Sequence, residues 1–152
     1  MTCCGPGSPD AGAARRDPAL GPLQITDGGM LAIGEGDDVV AVRELGRPMA
    51  ALYIGGMGAK GRNFYNDVAR RSGFEEAAAT IQDLYLDGKK KEAEAAIPDE
   101  LLELTSLCGP KSYVVERVAA FKEAGVTHLQ VHPIPLGDQS AASLIADVKE
   151  MA

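Results

Sequence analysis

Gly55, Gly56 and Gly58, followed at once by the cations Lys60 and Arg62, are the first residues whose types and spacing suggest chemistry. Glycine lets backbone approach a ligand, and two neighbouring cations can hold a phosphate or another acidic group. Gly56 to Gly61 reads literally as G-x-G-x-x-G, the turn that cradles a dinucleotide. That use needs a strand before the glycines, a helix after them and a second strand soon after. A helix is expected from Arg62 to Arg71, but Phe74 to Leu107 then reads as helix throughout, which leaves the second strand missing. The same glycines suit a helix–loop–helix corner in which they end a helix. Asn63, Tyr65 and Asn66 could offer hydrogen bonds to a substrate; Asn63 as an N-cap and Tyr65 as packing is the simpler account.

His132 is the candidate catalytic residue. Val126 to His132 alternates as a strand, with Leu129 and Val131 on one face and His128, Gln130 and His132 on the other, and Pro133 and Pro135 end it. His132 then lies at the strand's C-terminal end, where it could hydrogen-bond a ligand; a structural hydrogen bond is the alternative. His128, nearer the start, reads as structural. Asp37 and Asp38 read as a helix cap, and Cys108 as a small buried filler. No Ser/His/Asp or Cys/His arrangement follows from spacing. The three cysteines form no C-x-x-C, and Cys3 and Cys4 are far from both histidines, so no metal site is expected.

The elements that must position these residues follow from periodicity. Residues 1–22 are Gly, Pro, Ala, Ser, Asp and Arg with little that could be buried, and are expected to be a disordered tail ahead of a single domain over 23–152. Leu23 to Ile33 reads as one or two short strands about a turn at Asp27-Gly28-Gly29. From Asp38, apolar residues keep helical spacing to Tyr53, with Pro48 forcing a kink or a new start and Gly55-Gly56 a stop. Helices follow over Phe64–Arg71, Phe74–Asp87 and Lys89–Ala96, then one opening at Pro98 and carrying Leu101, Leu102, Leu104 and Leu107. The clearest helix opens at Gly109-Pro110 with the stripe Val114, Val118 and Phe121; after the His132 strand, a last helix carries Leu144, Ile145, Val148 and Met151. A strand–helix–strand–helix ending suits the final units of a (β/α) barrel.

A chain of 152 residues is normally one domain, and with 5% aromatics and no Trp its core must be aliphatic and alanine-rich. The net charge of −7 argues against general binding to nucleic acid or an anionic membrane, since no basic field exists to release counterions. Lys89-Lys90-Lys91 is short and flanked by acids, which suits a solvated helix end. There is no run of 18 apolar residues, and no apolar stretch follows Arg15-Arg16, so neither a membrane span nor a signal peptide is expected. Cysteine usage fits a reducing cytoplasm.

Ala51 to Gly58 with Asn63-Phe64-Tyr65-Asn66-Asp67 resembles a segment of the luciferase-like monooxygenase family, in its flavin- or deazaflavin-dependent branch. Ile81 to Lys89, the Pro98-Asp99-Glu100-Leu101 start, and Gly109-Pro110 through Val126-Thr127-His128-Leu129 are similar to the same proteins, so that the likeness runs from about Gly34 to Ala152. The resemblance implies a TIM-like (β/α)8 barrel that binds FMN or coenzyme F420, a deazaflavin, and transfers hydride to or oxygenates a small organic substrate. It makes Gly55, Gly56, Gly58, Lys60 and Arg62 candidates for the coenzyme, and Asn63, Tyr65 and Asn66 candidates for the substrate. A complete barrel takes about 250 residues. The chain is therefore expected to be the closing part of one, truncated, inactive alone, without tight coenzyme binding, and prone to oligomerise through open edges. The rival from another class is a small helical interaction domain whose glycine loop is a hinge.

Overall fold

Three short strands frame the fold, and helices joined by short loops connect them. The computed structural model describes residues 12–151. Residues 1–11, half of the expected tail, lie outside the described residues. From residue 12 the chain is placed, with a 3-10 turn at Pro18–Leu20 whose first amide is capped by the Asp17 carboxylate.

Strand β1 (Thr26–Ile33) is followed by helices α1 (Asp37–Glu44) and α2 (Arg47–Ala51), and by a π-helical turn (Leu52–Gly56). Then come α3 (Phe64–Arg71), α4 (Glu75–Leu86), α5 (Lys90–Ala95) and α6 (Asp99–Leu104). Strand β2 (Leu107–Gly109), helix α7 (Lys111–Glu123), strand β3 (His128–Pro133) and helix α8 (Ala141–Met151) complete it. The strands form one parallel sheet in the order β2-β1-β3.

Successive strands of a (β/α)8 barrel stand side by side in chain order, with their helices outside. Here β1 stands between the other two. The physical reason is the length of strand on offer: β1 gives β3 six registered pairs, Thr26 with His128 through Leu31 with Pro133, whereas β2 is only three residues long. The connections out of β1 and β2 cross the sheet in opposite directions, and right-handed crossovers in opposite directions need opposite faces. The packing obeys this. Val39 and Val42 of α1 cover Ala32 and Cys108 on one face. Val114 and Val118 of α7, with Leu144 and Val148 of α8, cover Leu31 and Leu107 on the other.

Local departures from expectation have local causes. Asp27-Gly28-Gly29 is no turn; β1 runs straight through it, because the glycines take φ of +146° and +159° that other residues avoid. Leu107 is in β2 and not in the preceding helix, which ends at Leu104. Gly36, at φ +67°, caps α1, so Asp37 and Asp38 are its first-turn acids and not its N-cap. Of the two outcomes open at Pro48, a kink or a new start, the chain takes the new start: Pro48 sits in the first turn of α2, where its missing N–H costs nothing.

The helices between β1 and β2 make a second core from Ala51, Ile54, Ala69, Ala78, Ile81 and Leu102. Arg47 ties its entrance to its exit. The guanidinium donates to Glu44, to the Ile97 carbonyl and, at 2.6 Å, to Asp99 at the start of α6. The hydrogen bond from Arg47 holds the Glu44 carboxyl below its ordinary value. A depressed carboxylate contributes stability above its unfolded pKa and loses it as the pH falls through its folded one. Glu44→Gln should therefore be less stable than wild type near neutrality. The gap should close on acidification, as read from urea midpoints across the carboxylate range; a gap that is constant with pH would reject this role.

Candidate functional site

The part of the α1 side of the sheet that α1 leaves uncovered and the helical unit have a groove of about 590 Å³ between them. Its floor is Gly29 and Met30 of β1 with His132 of β3, and Met30 and His132 are register partners, side by side on one face. Its far wall is Leu45, Met49, Tyr53, Tyr65 and Val68, with Leu101 and Thr105 closing one end. The volume lies in the range of small-molecule sites.

Local physics sets each wall. β3 alternates as its sequence implies, so Leu129 and Val131 turn toward the covered face and His132 is exposed at the strand's C-terminal end. His132 has no hydrogen-bond partner among the described residues. His128 does, at 3.0 Å from the Thr127 hydroxyl. The π-helical turn at Leu52–Gly56 shifts carbonyls out of the ordinary ladder, and two buried asparagines meet them. Asn63 donates to the Tyr53 and Ile54 carbonyls at 3.0 and 2.9 Å, and accepts from the Tyr65 and Asn66 amides as the N-cap of α3. Asn66 donates to the Ile54 and Ala78 carbonyls and accepts from Arg70. Tyr53 and Tyr65 then meet edge to face, centroids 4.5 Å apart at 82°.

Of the residues singled out from the sequence, the structure brings His132 and Tyr65 together in this groove. Asn63 and Asn66 are 1% and 4% exposed, with their amides committed to backbone. Gly55 and Gly56 line neither cavity. A Cβ on either would come within 2.5 Å of Tyr85 ring or Cβ atoms, so they let the π-helical turn lie against α4. Gly58 sits in a tight corner where a Cβ would be 2.5 Å from the Arg62 carbonyl oxygen. Lys60 pairs with Asp83 at 2.5 Å on the rim of a polar cleft of about 280 Å³, which Asn66, Asp67, Arg70 and Gln82 also line. Helix α3 separates the two cavities. Arg62 is exposed, with no ion-pair partner among the described residues. Cys108 is fully buried, and burial pushes its thiol up, which keeps it neutral. Among the described residues no group of three or more His, Cys, Asp or Glu side chains could hold a metal, and no helix is long and apolar enough to cross a membrane.

With that geometry in place, comparison with known proteins decides the family. The model for luciferase-like monooxygenases matches residues 8–128. This chain belongs to the luciferase-like monooxygenase family. A curated relative in Mycobacterium tuberculosis (strain ATCC 25618 / H37Rv), provisionally named a coenzyme F420-dependent oxidoreductase, is 40% identical over 85 residues. The matched stretch is 56% of this chain and 24% of that relative, so the chain spans about a quarter of its length. No solved structure matches. The matched region of this luciferase-like chain holds the glycine corner well inside it and ends at His128, the first residue of β3, so His132 lies beyond it.

Tyr53, Met30 and Met49 of the groove were not legible as site residues. The available signal was weak: Leu45, Met49 and Tyr53 recur every four residues, a stripe that reads as core. In the structure Leu45 and Met49 are more than half exposed, and it is exposure that separates a binding wall from a core stripe.

Proposed function

We propose that this chain forms part of an oxidoreductase site in which hydride passes between coenzyme F420, or FMN in its place, and a small organic substrate held in the groove at His132. The observation that carries the reading is an exposed, unpartnered imidazole at a strand's C-terminal end, opening into a ligand-sized groove, in a luciferase-like chain. The deazaflavin or flavin ring, when bound, supplies the redox chemistry. The chain's own residues supply shape, exclusion of water and one hydrogen bond.

The groove fits the ring of such a coenzyme and not its acidic tail. It is lined by apolar and uncharged side chains, and no cation lies in it. Arg62, exposed on the loop after the π-helical turn and without an ion-pair partner among the described residues, is the cation we assign to the tail; Lys60, paired with Asp83 across α3 from the groove, would have to leave that pair to join it. His132 holds a donor or acceptor at the groove floor for the reacting partner. The reading rests on the pairing of β3 with β1, which sets His132 beside Met30 at the groove floor.

Titrating the chain with coenzyme F420 and with FMN, and following coenzyme fluorescence, tests the reading. Saturable binding is expected, weaker than micromolar, and reduced roughly tenfold in His132→Ala by loss of one hydrogen bond to a buried ring. Binding that His132→Ala leaves unchanged, or the absence of saturation with either coenzyme, would overturn it.

A further inference from the structure

We propose that the groove selects an uncharged, ring-bearing, largely apolar organic substrate, seated against the Tyr53–Tyr65 pair, with His132 as its main polar contact. The proposal rests on the oxidoreductase reading above for the word substrate; the binding preference itself rests only on the groove.

The first observation is charge. A quarter of the chain's residues are Asp, Glu, Lys or Arg, yet none of them lines the groove. A charged ligand would give up its hydration there and gain no counter-charge. The second is the wall. Tyr53 and Tyr65 are tied through one side chain: Asn63 donates to the carbonyl of the first and accepts from the amide of the second. Their edge-to-face contact is thus set before anything binds, and a preformed aromatic surface favours a flat, apolar partner that needs no ordering. Met30 and Met49 add thioethers that adapt to ring edges.

Polar capacity in the groove is small. The Thr105 hydroxyl already donates to the Leu101 carbonyl at 2.7 Å. The tyrosine hydroxyls have no partner among the described residues, and neither does His132. The arrangement therefore offers a few hydrogen bonds at the edges of an otherwise apolar bed, which suits a cyclic molecule carrying one carbonyl, hydroxyl or neutral N–H and disfavours carboxylates, phosphates and ammonium ions.

Two fluorescent probes with one skeleton test this: neutral N-phenyl-1-naphthylamine and its sulfonate, 8-anilino-1-naphthalenesulfonate. The neutral probe should bind at least roughly tenfold more tightly to the full chain. Met49→Lys alters a side chain 56% exposed and should preserve the fold, as checked by far-UV circular dichroism; it should reverse the preference. Val68→Lys, at a position 43% exposed on the same wall, should do the same and stands in if the first variant unfolds. Val115→Ser, 41% exposed on α7 and outside the groove, should leave both probes unchanged. Equal binding of the two probes, or a ratio untouched by either lysine, would overturn the proposal. Loss of coenzyme binding with the probe ratio intact would instead reject the oxidoreductase reading and leave the groove's selectivity standing.

Discussion

Gly28→Ala will detach β3 from β1 and destabilise the chain by roughly 3 kcal/mol or more, the sum of a backbone forced out of its allowed region and an overpacked contact. Gly28 holds φ +146°, and a Cβ built there would lie 1.8 Å from the Gln130 carbonyl oxygen. That oxygen belongs to backbone at the centre of β3, so it cannot swing aside as a side-chain tip would. The two strands can be relieved only by giving up the pairs from Thr26–His128 to Leu31–Pro133. Because Met30 and His132 are partners in that ladder, the groove floor goes with it. Against a whole-domain stability of about 5–15 kcal/mol the loss is large. Gly29→Ala is the control. Its nearest obstacle is the Thr105 carbonyl oxygen at 3.3 Å, and with φ at +159° it should cost about 1 kcal/mol. Urea unfolding by circular dichroism gives both costs, and hydrogen exchange at Gln130 and His132 reports the strand. A Gly28→Ala midpoint equal to that of wild type would show that the two strands are not held at this spacing.

The second large effect is expected at Asn63. Asn63→Ala removes the N-cap of α3, worth about 1 kcal/mol, and strips the Tyr53 carbonyl of its donor, a buried loss of about 1–3 kcal/mol. The Ile54 carbonyl keeps Asn66 as a donor at 3.1 Å, so the π-helical turn is weakened and not abolished. Asn63→Ser separates the two roles. Its hydroxyl can cap the helix but is too short to serve the turn, so it should recover only about 1 kcal/mol. The expected order of stability is wild type, then Ser, then Ala. Both variants should also weaken neutral-probe binding, because the tie between Tyr53 and Tyr65 is gone. A Ser variant as stable as wild type would mean that the turn needs no side-chain donor.

Asn63 also shows how far one sequence can be read. Its role as a cap follows from Asn standing before Phe64-Tyr65-Asn66-Asp67, a local rule, and the structure has it there. Its second role, serving carbonyls nine and ten residues earlier, depends on a π-helical turn that no pattern of residue types announces. Gly28 and Gly29 show the converse. Two glycines after an aspartate look like a turn by local rules, and only the approach of β3 from about a hundred residues away makes them the centre of a strand. β2 was hidden for a related reason: three residues carry no period, and Leu107 continued the helical spacing of Leu101 and Leu104.

Resemblance was enough to reach the luciferase-like family, and alternation with the prolines after it was enough to put His132 at a strand end, because both signals are carried by short contiguous stretches. Composition was enough to expect an aliphatic, alanine-rich core, as the helical unit has. What only tertiary structure decided is which strand β3 pairs with, which part of the sheet the helices leave uncovered, and therefore that His132, Met30, Tyr53 and Tyr65 share one groove that no Asp, Glu, Lys or Arg lines. Those facts depend on contacts between residues far apart in the chain, where the free energy of pairing a six-residue strand outweighs the order in which the strands are written.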